Sequence, residues 1–82
     1  MRKTVNEIEY YMKLPYKIEL IPYPEGGFFA RIKELEGCMT EGDSLEEVME
    51  LLNDAKRAWF ETALESGIEI PLPEVMVDEQ RA

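Results

Sequence analysis

The segment from Glu25 to Asp43 constrains the fold most, because glycine-containing turns alternate there with short apolar stretches. It holds four of the chain's five glycines and two adjacent aromatic residues, Phe28 and Phe29. Glycine reaches the positive φ values of tight turns at little cost, whereas alternating apolar residues favour strands. The segment therefore predicts a turn, a strand, a second turn and a short strand that leads into a helix.

A helix is predicted to follow this segment directly. Ser44-Leu-Glu-Glu has the spacing of a capping box, and its acidic residues suit the positive end of a helix dipole. Apolar residues then recur at helical spacing as far as Ala63, while charged residues occupy the opposite side. Gly67 has the position and chemistry of a C′ residue, which predicts that the helix ends there.

Three short strands are predicted before this helix. Tyr16 to Pro22 alternates apolar and charged residues, apart from Ile21, and Phe28 to Lys33 alternates in the same way. The prolines and glycines between these two strands favour a turn, so a hairpin is the simplest connection. Cys38 to Glu41 forms a shorter third strand after a second turn, which contains Gly37.

The two ends of the chain carry weaker patterns. Thr4-Val-Asn-Glu has capping-box spacing and Pro15 stops a helix, so residues 1–14 form a short helix or, alternatively, an extended arm. Ile68 to Pro73 is limited to a brief extended segment, either at a sheet edge or outside the sheet, because its prolines lack the amide donor. Residues 74–82 form an acidic tail.

These elements predict the fold class α+β. The architecture is a small, three- to four-stranded, antiparallel-rich sheet with one long helix on one face, in the order β-β-β-α-β. A single helix covers only one face of such a sheet, so Ile21 and Phe29 lie on the other, beside Lys17, Glu19 and Arg31. Exposed apolar groups there indicate an interface, for example with a second copy, or alternatively they are scattered surface residues.

The charge balance narrows the choice of partners. Eighteen acidic against nine basic residues give a net charge of −9. Nucleic acid is a poor direct partner, because its binding depends on clustered Lys and Arg. A basic protein fits better, although the charge also has the simpler role of keeping the domain soluble. No apolar run reaches the roughly 20 residues of a membrane span and no signal peptide is evident, so a cytoplasmic location is expected.

Catalytic chemistry is disfavoured by the residues that the chain lacks. It contains no histidine, which is the usual general base and the usual partner of a Ser or Cys nucleophile. Its single cysteine, Cys38, lies between Glu36 and Glu41, where acidic neighbours raise a thiol pKa, and it is explained more simply as a buried residue. No carboxylate spacing predicts a metal site. We therefore expect no enzyme activity, no cofactor and no metal.

Several segments taken together resemble the HicB antitoxin family. They are Leu14-Pro-Tyr-Lys-Ile-Glu-Leu-Ile-Pro, Pro-Glu-Gly-Gly-Phe-Phe-Ala-Arg-Ile and Glu-Leu-Glu-Gly-Cys-Met-Thr-Glu-Gly-Asp-Ser-Leu-Glu-Glu. The resemblance continues through Ala-Trp-Phe-Glu-Thr-Ala-Leu-Glu to Ile70-Pro-Leu-Pro, and it covers about residues 10–74. Family members usually carry prolines where this chain has Lys33 and Glu36, which concerns the local turn rather than the fold.

The resemblance implies a partial RNase H-like domain over residues 15–73, without the metal-binding carboxylates of the nuclease. It also implies an antitoxin of a type II toxin–antitoxin pair, which masks a small basic, HicA-like toxin that cleaves mRNA. Many members append a DNA-binding segment, and this chain resembles a short form without one. A homo-oligomer, either a dimer or a tetramer, is expected.

The partner-binding residues expected on this basis are acidic side chains of the sheet and tail together with two anchors on the helix-free face. They are Phe29, Arg31, Glu34, Glu36, Glu41, Asp43, Asp78 and Glu79. Two alternatives stay open. One is an orphan interaction or adaptor module of the same fold with no toxin partner, and the other is a residual metal nuclease of the RNase H-like type.

Overall fold

The computed structural model describes residues 2–76, and their side chains from Glu7 onward. In chain order its elements are α1 (Arg2–Met12), β1 (Ile18–Pro22), β2 (Phe28–Ile32), β3 (Met39–Gly42) and α2 (Leu45–Ser66). The strands form one antiparallel sheet in the order β1-β2-β3, and α2 packs on one face of it. The predicted α+β class is confirmed.

Helix α2 begins and ends where the local sequence predicts. Ser44 Oγ accepts a hydrogen bond from the backbone N–H of Glu47 at 3.1 Å, and Glu47 Oε1 accepts one from the backbone N–H of Asp43 at 2.6 Å. At the other end Gly67 adopts a φ of 72°, and its N–H donates to the carbonyl of Ala63. Neither helix of the described part is long and apolar enough to cross a membrane.

Helix α1 shows that the N-terminal segment is a helix rather than an extended arm. It begins at Arg2, so the prediction of a capping box at Thr4 is wrong. The helix packs on α2, with Ile8 buried and the ring of Tyr11 centred 5.3 Å from the ring of Phe60. This docking stabilises a helix that is too short to persist alone in water.

The segment that follows α2 forms no strand, so the sheet has three strands within residues 2–76. Pro71 and Pro73 have no N–H to donate to a strand ladder. Side chains from the body of the domain hold the segment instead. The hydroxyl of Tyr16 donates to the carbonyl of Pro71 at 2.6 Å, and Glu34 Oε2 accepts from the backbone N–H of Glu74 at 3.0 Å. Of the two alternatives predicted for this segment, the structure shows the one outside the sheet, and the last strand of the predicted order β-β-β-α-β does not form within the described residues.

The core lies between α2 and the strands β2 and β3. Ala30 and Ile32 of β2 are buried against α2, whose Val48 and Phe60 are buried as well. Gly42, the last residue of β3, passes directly beneath the start of α2. A Cβ at Gly42 would lie 2.8 Å from the backbone nitrogen of Val48, so only glycine allows this close approach.

Helix α2 covers only part of the sheet. It contacts β2 and β3, whereas β1 lies beside the helix rather than beneath it. The register pairs Ile18 with Ile32 and Leu20 with Ala30, so both β1 side chains point to the same face as the core. Ile18 nevertheless remains 42% exposed and Leu20 39% exposed, because no helix of the described part lies above them.

The pH dependence of stability tests the role of Tyr16, whose hydroxyl holds the C-terminal segment through the carbonyl of Pro71. Burial raises the pKa of its phenol from 10.0 to about 12. Because the folded-state pKa is the higher one, Tyr16 stabilises the fold fully below pH 10 and loses this effect as the pH rises through about 12. Each pKa unit corresponds to ~1.4 kcal/mol, so we expect the free energy of unfolding to fall by roughly 2–3 kcal/mol over this window.

Urea unfolding of the wild type and of Tyr16→Phe across the same pH window measures that loss. The wild type should lose this much more stability than Tyr16→Phe, since phenylalanine has no proton to lose, whereas Tyr23 and Cys38, whose pKa values are also raised, titrate in both proteins. A pH dependence that is equal in the two proteins would contradict the assignment to Tyr16.

Candidate protein-binding surface

One face of the sheet carries no helix in the part of the chain that the structure describes. Side chains alternate between the two faces of a strand, and Ala30 and Ile32 point toward α2. Their neighbours in β2 therefore point away from α2, as do the residues paired with those neighbours in β1 and β3. We call this surface the outer sheet face; it comprises Glu19, Ile21, Phe29, Arg31, Met39 and Glu41.

The centre of the outer sheet face is apolar. Phe29 is paired with Ile21 of β1 on one side and with Glu41 of β3 on the other, and Met39 of β3 is paired with Arg31. Ile21 is 50% exposed and Met39 is 47% exposed, while Phe29 is half-buried between the strands. The structure thus places Ile21 and Phe29 on the face that the strand alternation predicts. Exposed apolar groups on a helix-free sheet face are typical of protein contact sites.

Charged and polar side chains border this centre. Arg31 Nε donates to Glu19 Oε1 at 2.5 Å, and this bond lowers the pKa of the Glu19 carboxyl. On the other side the hydroxyl of Tyr23 donates to Glu41 Oε2 at 3.1 Å. Partial desolvation, and then this bond to Glu41, raise the pKa of Tyr23. Exposed pairs such as these orient side chains more than they stabilise a fold.

Three of the predicted partner-binding residues meet on the outer sheet face. Phe29, Arg31 and Glu41 lie there together, and the positive charge of Arg31 is matched by Glu19. Asp43 lies just beyond the end of β3 and donates its backbone N–H to the first turn of α2. With two acids and one base, the outer sheet face is weakly acidic, and Asp43 extends this character toward α2.

The remaining predicted residues lie elsewhere. Glu34 and Glu36 occupy the turn between β2 and β3, at the opposite end of β3 from Asp43. Glu34 is half-buried and holds the backbone of Glu74, while the carbonyl of Glu36 accepts from Trp59 Nε1 at 2.8 Å. Two further predicted residues, Asp78 and Glu79, lie outside the described residues. Their contribution to binding stays a prediction.

The exposure of two sets of residues was not predicted from the sequence. Met39 lies on the outer sheet face because its neighbour Cys38 is buried, and strand alternation after Cys38 would have indicated this. Leu45, Met49 and Leu51 have the helical spacing of core residues, but each is more than a third exposed. No local signal distinguishes them, since their exposure depends on how α2 crosses the sheet.

The solvent side of α2 adds a second acidic surface. Glu46, Glu50 and Asp54 line one shallow groove there, together with Met49 and Asn53. None of the three acids has a salt bridge among the described residues. An acidic helix face of this kind strengthens the negative field that a basic partner meets on approach.

Cys38 lacks the setting of a reactive thiol. It is 2% exposed, and burial raises the pKa of its thiol while the nearby Lys56 opposes that rise. The predicted direction of the shift is right, but its cause is burial rather than the neighbouring Glu36 and Glu41. Within residues 2–76, no group of three or more His, Cys, Asp or Glu side chains is placed to hold a metal ion.

Comparison with known proteins identifies relatives. No family model matches the chain. The UPF0150 protein ssl0259 of Synechocystis sp. is 43% identical over 56 residues, which are 68% of this chain and 77% of that relative. Antitoxin HicB 1 of Photorhabdus laumondii is 38% identical over 58 residues, and Antitoxin HicB of Escherichia coli K12 is 34% identical over 58 residues.

The relatives differ in how much of their own length is matched. Both antitoxin matches cover 71% of this chain, but they cover only 37% of the Photorhabdus protein and 42% of the Escherichia coli protein. The chain therefore spans about two fifths of the length of the antitoxins that it matches. The UPF0150 protein, in contrast, is matched over most of its length.

Proposed function

Because this chain belongs to the HicB-like family, we propose that it acts as the antitoxin of a toxin–antitoxin pair. The relatives named as antitoxins support this role, which is regulatory rather than enzymatic. The match covers only about two fifths of the length of those antitoxins. We therefore limit the proposed activity to one that a single small domain can perform. That activity is the binding of a protein partner.

The observation that carries the proposal is the outer sheet face, an exposed apolar surface on an acidic chain. Ile21 and Phe29 form its centre, where burial on binding supplies most of the affinity. Glu41 and Asp43 lie beside that centre and attract a partner of opposite charge. The partner that fits both properties is a small, basic, HicA-like toxin that cleaves mRNA.

In this proposal the antitoxin inhibits the toxin by covering the surface with which the toxin binds RNA. A protein that binds RNA must present Lys and Arg to the phosphates. A carboxylate-bearing surface competes for those same side chains, and its apolar centre then excludes water and RNA from the covered region. The acids on α2 speed the encounter through the longer-range field. We assign the toxin-binding unit to residues 15–73, with the acidic tail of residues 74–82 adding Asp78 and Glu79.

Co-expression with a neighbouring reading frame tests the proposal. If that frame encodes a small basic protein, the two proteins should co-purify as a stable complex. The association rate constant should fall when the salt concentration rises from about 0.05 to about 0.5 M, because screening weakens the steering between an acidic and a basic protein. Two proteins that elute separately at every salt concentration would contradict the proposed function.

A further inference from the structure

Within residues 2–76, one edge of β1 pairs with no other strand, and this free edge offers backbone groups to a further strand. The backbone N–H of Tyr23 donates to the carbonyl of Gly27 at 2.9 Å and closes the β1–β2 hairpin. In an antiparallel pair, residues bonded to the neighbouring strand alternate with residues whose N–H and C=O point away. Counting back from Tyr23, Ile18 and Leu20 direct these groups to the free edge. Pro22 occupies the next outward position, where its missing N–H costs no bond within the chain.

The helix side of the same strand is apolar, and no other described residue covers it fully. Ile18 and Leu20 point toward the layer of α2, yet both are more than a third exposed. Met49, on the flank of α2 nearest β1, is 38% exposed and lines a small cavity together with Ile18. A partner that binds this edge therefore has to provide a strand, and the side chains of that strand on the face toward α2 have to be apolar.

We propose that β1 pairs antiparallel with β1 of a second copy of this chain. The two sheets then form one continuous six-stranded sheet about a two-fold axis, with both α2 helices on the same side. The exposed Ile18 and Leu20 of each copy cover those of the other. A two-fold interface of this kind requires a self-complementary surface.

Two charged residues supply that self-complementarity, namely Lys17, which directly precedes β1, and Glu19 within β1. When Ile18 lies opposite Ile18 of the second copy, the two residues exchange both backbone bonds, and Lys17 of each copy lies opposite Glu19 of the other. These Lys–Glu pairs occupy non-hydrogen-bonded positions, where side chains on neighbouring strands are closest. Lys17 is available for such a pair, since its contact with Glu74 is long, at 3.4 Å, and largely exposed. Glu19 bonds to Arg31 through Oε1, so its Oε2 is the atom that would accept from Lys17.

Other registers and the other edge are less favourable. Placing Ile18 opposite Leu20 brings Glu19 opposite its own copy, and like charges in that position are destabilising. Placing Leu20 opposite Leu20 leaves Glu19 against Ile21 and forms no ion pair. Glu41 is the charged residue of β3 and Asp43 follows the strand, so pairing the free edges of two β3 strands brings no opposite charges together.

Two matched substitutions test the interface. Leu20 and Leu51 are both 39% exposed, but Leu51 lines a different groove, beside Gly42 and Asp43. Leu20→Lys should raise the dissociation constant of the dimer by roughly 100-fold or more, because it buries an unpaired ammonium in the interface. Leu51→Lys should leave the dimer intact. Light scattering after size-exclusion chromatography over a concentration series measures both, and circular dichroism confirms that both variants are folded.

The register is tested by a zero-length carbodiimide cross-link between unlabelled and nitrogen-15-labelled chains. The expected product joins Lys17 of one copy to Glu19 of the other, and its mixed isotope pattern separates it from a link within one chain. A link between Lys17 and Glu19 that is found only within single chains would overturn the proposed register.

Three results would overturn the interface itself. They are a monomer at all concentrations, a dimer that survives Leu20→Lys, and a dimer that Leu51→Lys also destroys. If the chain is monomeric and Leu20→Lys abolishes binding of a basic protein partner, the edge belongs to that partner and not to a second copy. Dimerisation and toxin binding are measured separately, so either one can fail while the other stands.

Discussion

Replacing Phe60 with alanine should lower the free energy of unfolding by about 3–5 kcal/mol, the range for a large aromatic removed from a packed core. Phe60 is fully buried. Its ring lies 5.3 Å from that of Tyr11, 5.8 Å from that of Tyr16 and 6.0 Å from that of Trp59. It therefore joins α1 and the approach to β1 to the long helix. Among the aromatic ring pairs of the described residues, Phe60 takes part in three, and Tyr11, Tyr16 and Trp59 pair with one another in none.

The consequence is severe because the protein is small. Domains of ordinary size are stable by only about 5–15 kcal/mol, and a chain of this length lies toward the lower end. Urea unfolding followed by circular dichroism, at one fixed protein concentration, measures the loss. Phe29→Ala is the matched control, since Phe29 is half-buried on the outer sheet face, and it should cost clearly less. An equal or larger cost at Phe29 would contradict the assignment of the core.

The second large effect concerns partner binding. Ile21→Lys should weaken the complex with a basic toxin by roughly 100-fold, because it removes an apolar anchor and sets a positive charge against a positive surface. Ile21 is 50% exposed, so the substitution should leave the fold intact. Ile68→Lys is the matched control. Ile68 is 52% exposed and lies after α2, away from the outer sheet face.

Isothermal titration of both variants with the purified toxin distinguishes a local effect at position 21 from an effect of overall charge. Ile68→Lys should bind like the wild type, since both proteins carry the same change in net charge and only the position differs. Equal weakening by the two variants would assign the effect to overall charge. Unchanged binding by Ile21→Lys would contradict the proposal that the toxin binds the outer sheet face.

Elements whose structure is determined by residues close together in the sequence were predictable. The caps at Ser44 and Gly67 define α2, and both form as the spacing predicts. Gly26 and Gly27 adopt φ values of 111° and 92°, as the hairpin between β1 and β2 requires. The helix-free face was likewise predictable, because strand alternation alone places Phe29 on the side away from α2.

Features that depend on packing between distant segments were not predictable. The exposure of Leu20 follows from the position of α2 over β2 and β3, which no local pattern specifies. Glu34 looked like a free surface acid, but it binds the backbone of Glu74, which lies 40 positions further along the chain. The acids expected to form one binding surface therefore lie at two ends of the sheet, because the turns carry them apart.

The most direct test of the central claim is an RNA-cleavage assay with the purified toxin. Adding this protein should stop cleavage once it reaches about the molar amount of toxin, since occlusion by tight binding is stoichiometric. Ile68→Lys should inhibit equally well, whereas Ile21→Lys should require a large excess. Cleavage that continues unaffected by a molar excess of the folded wild-type protein would contradict the antitoxin function proposed here.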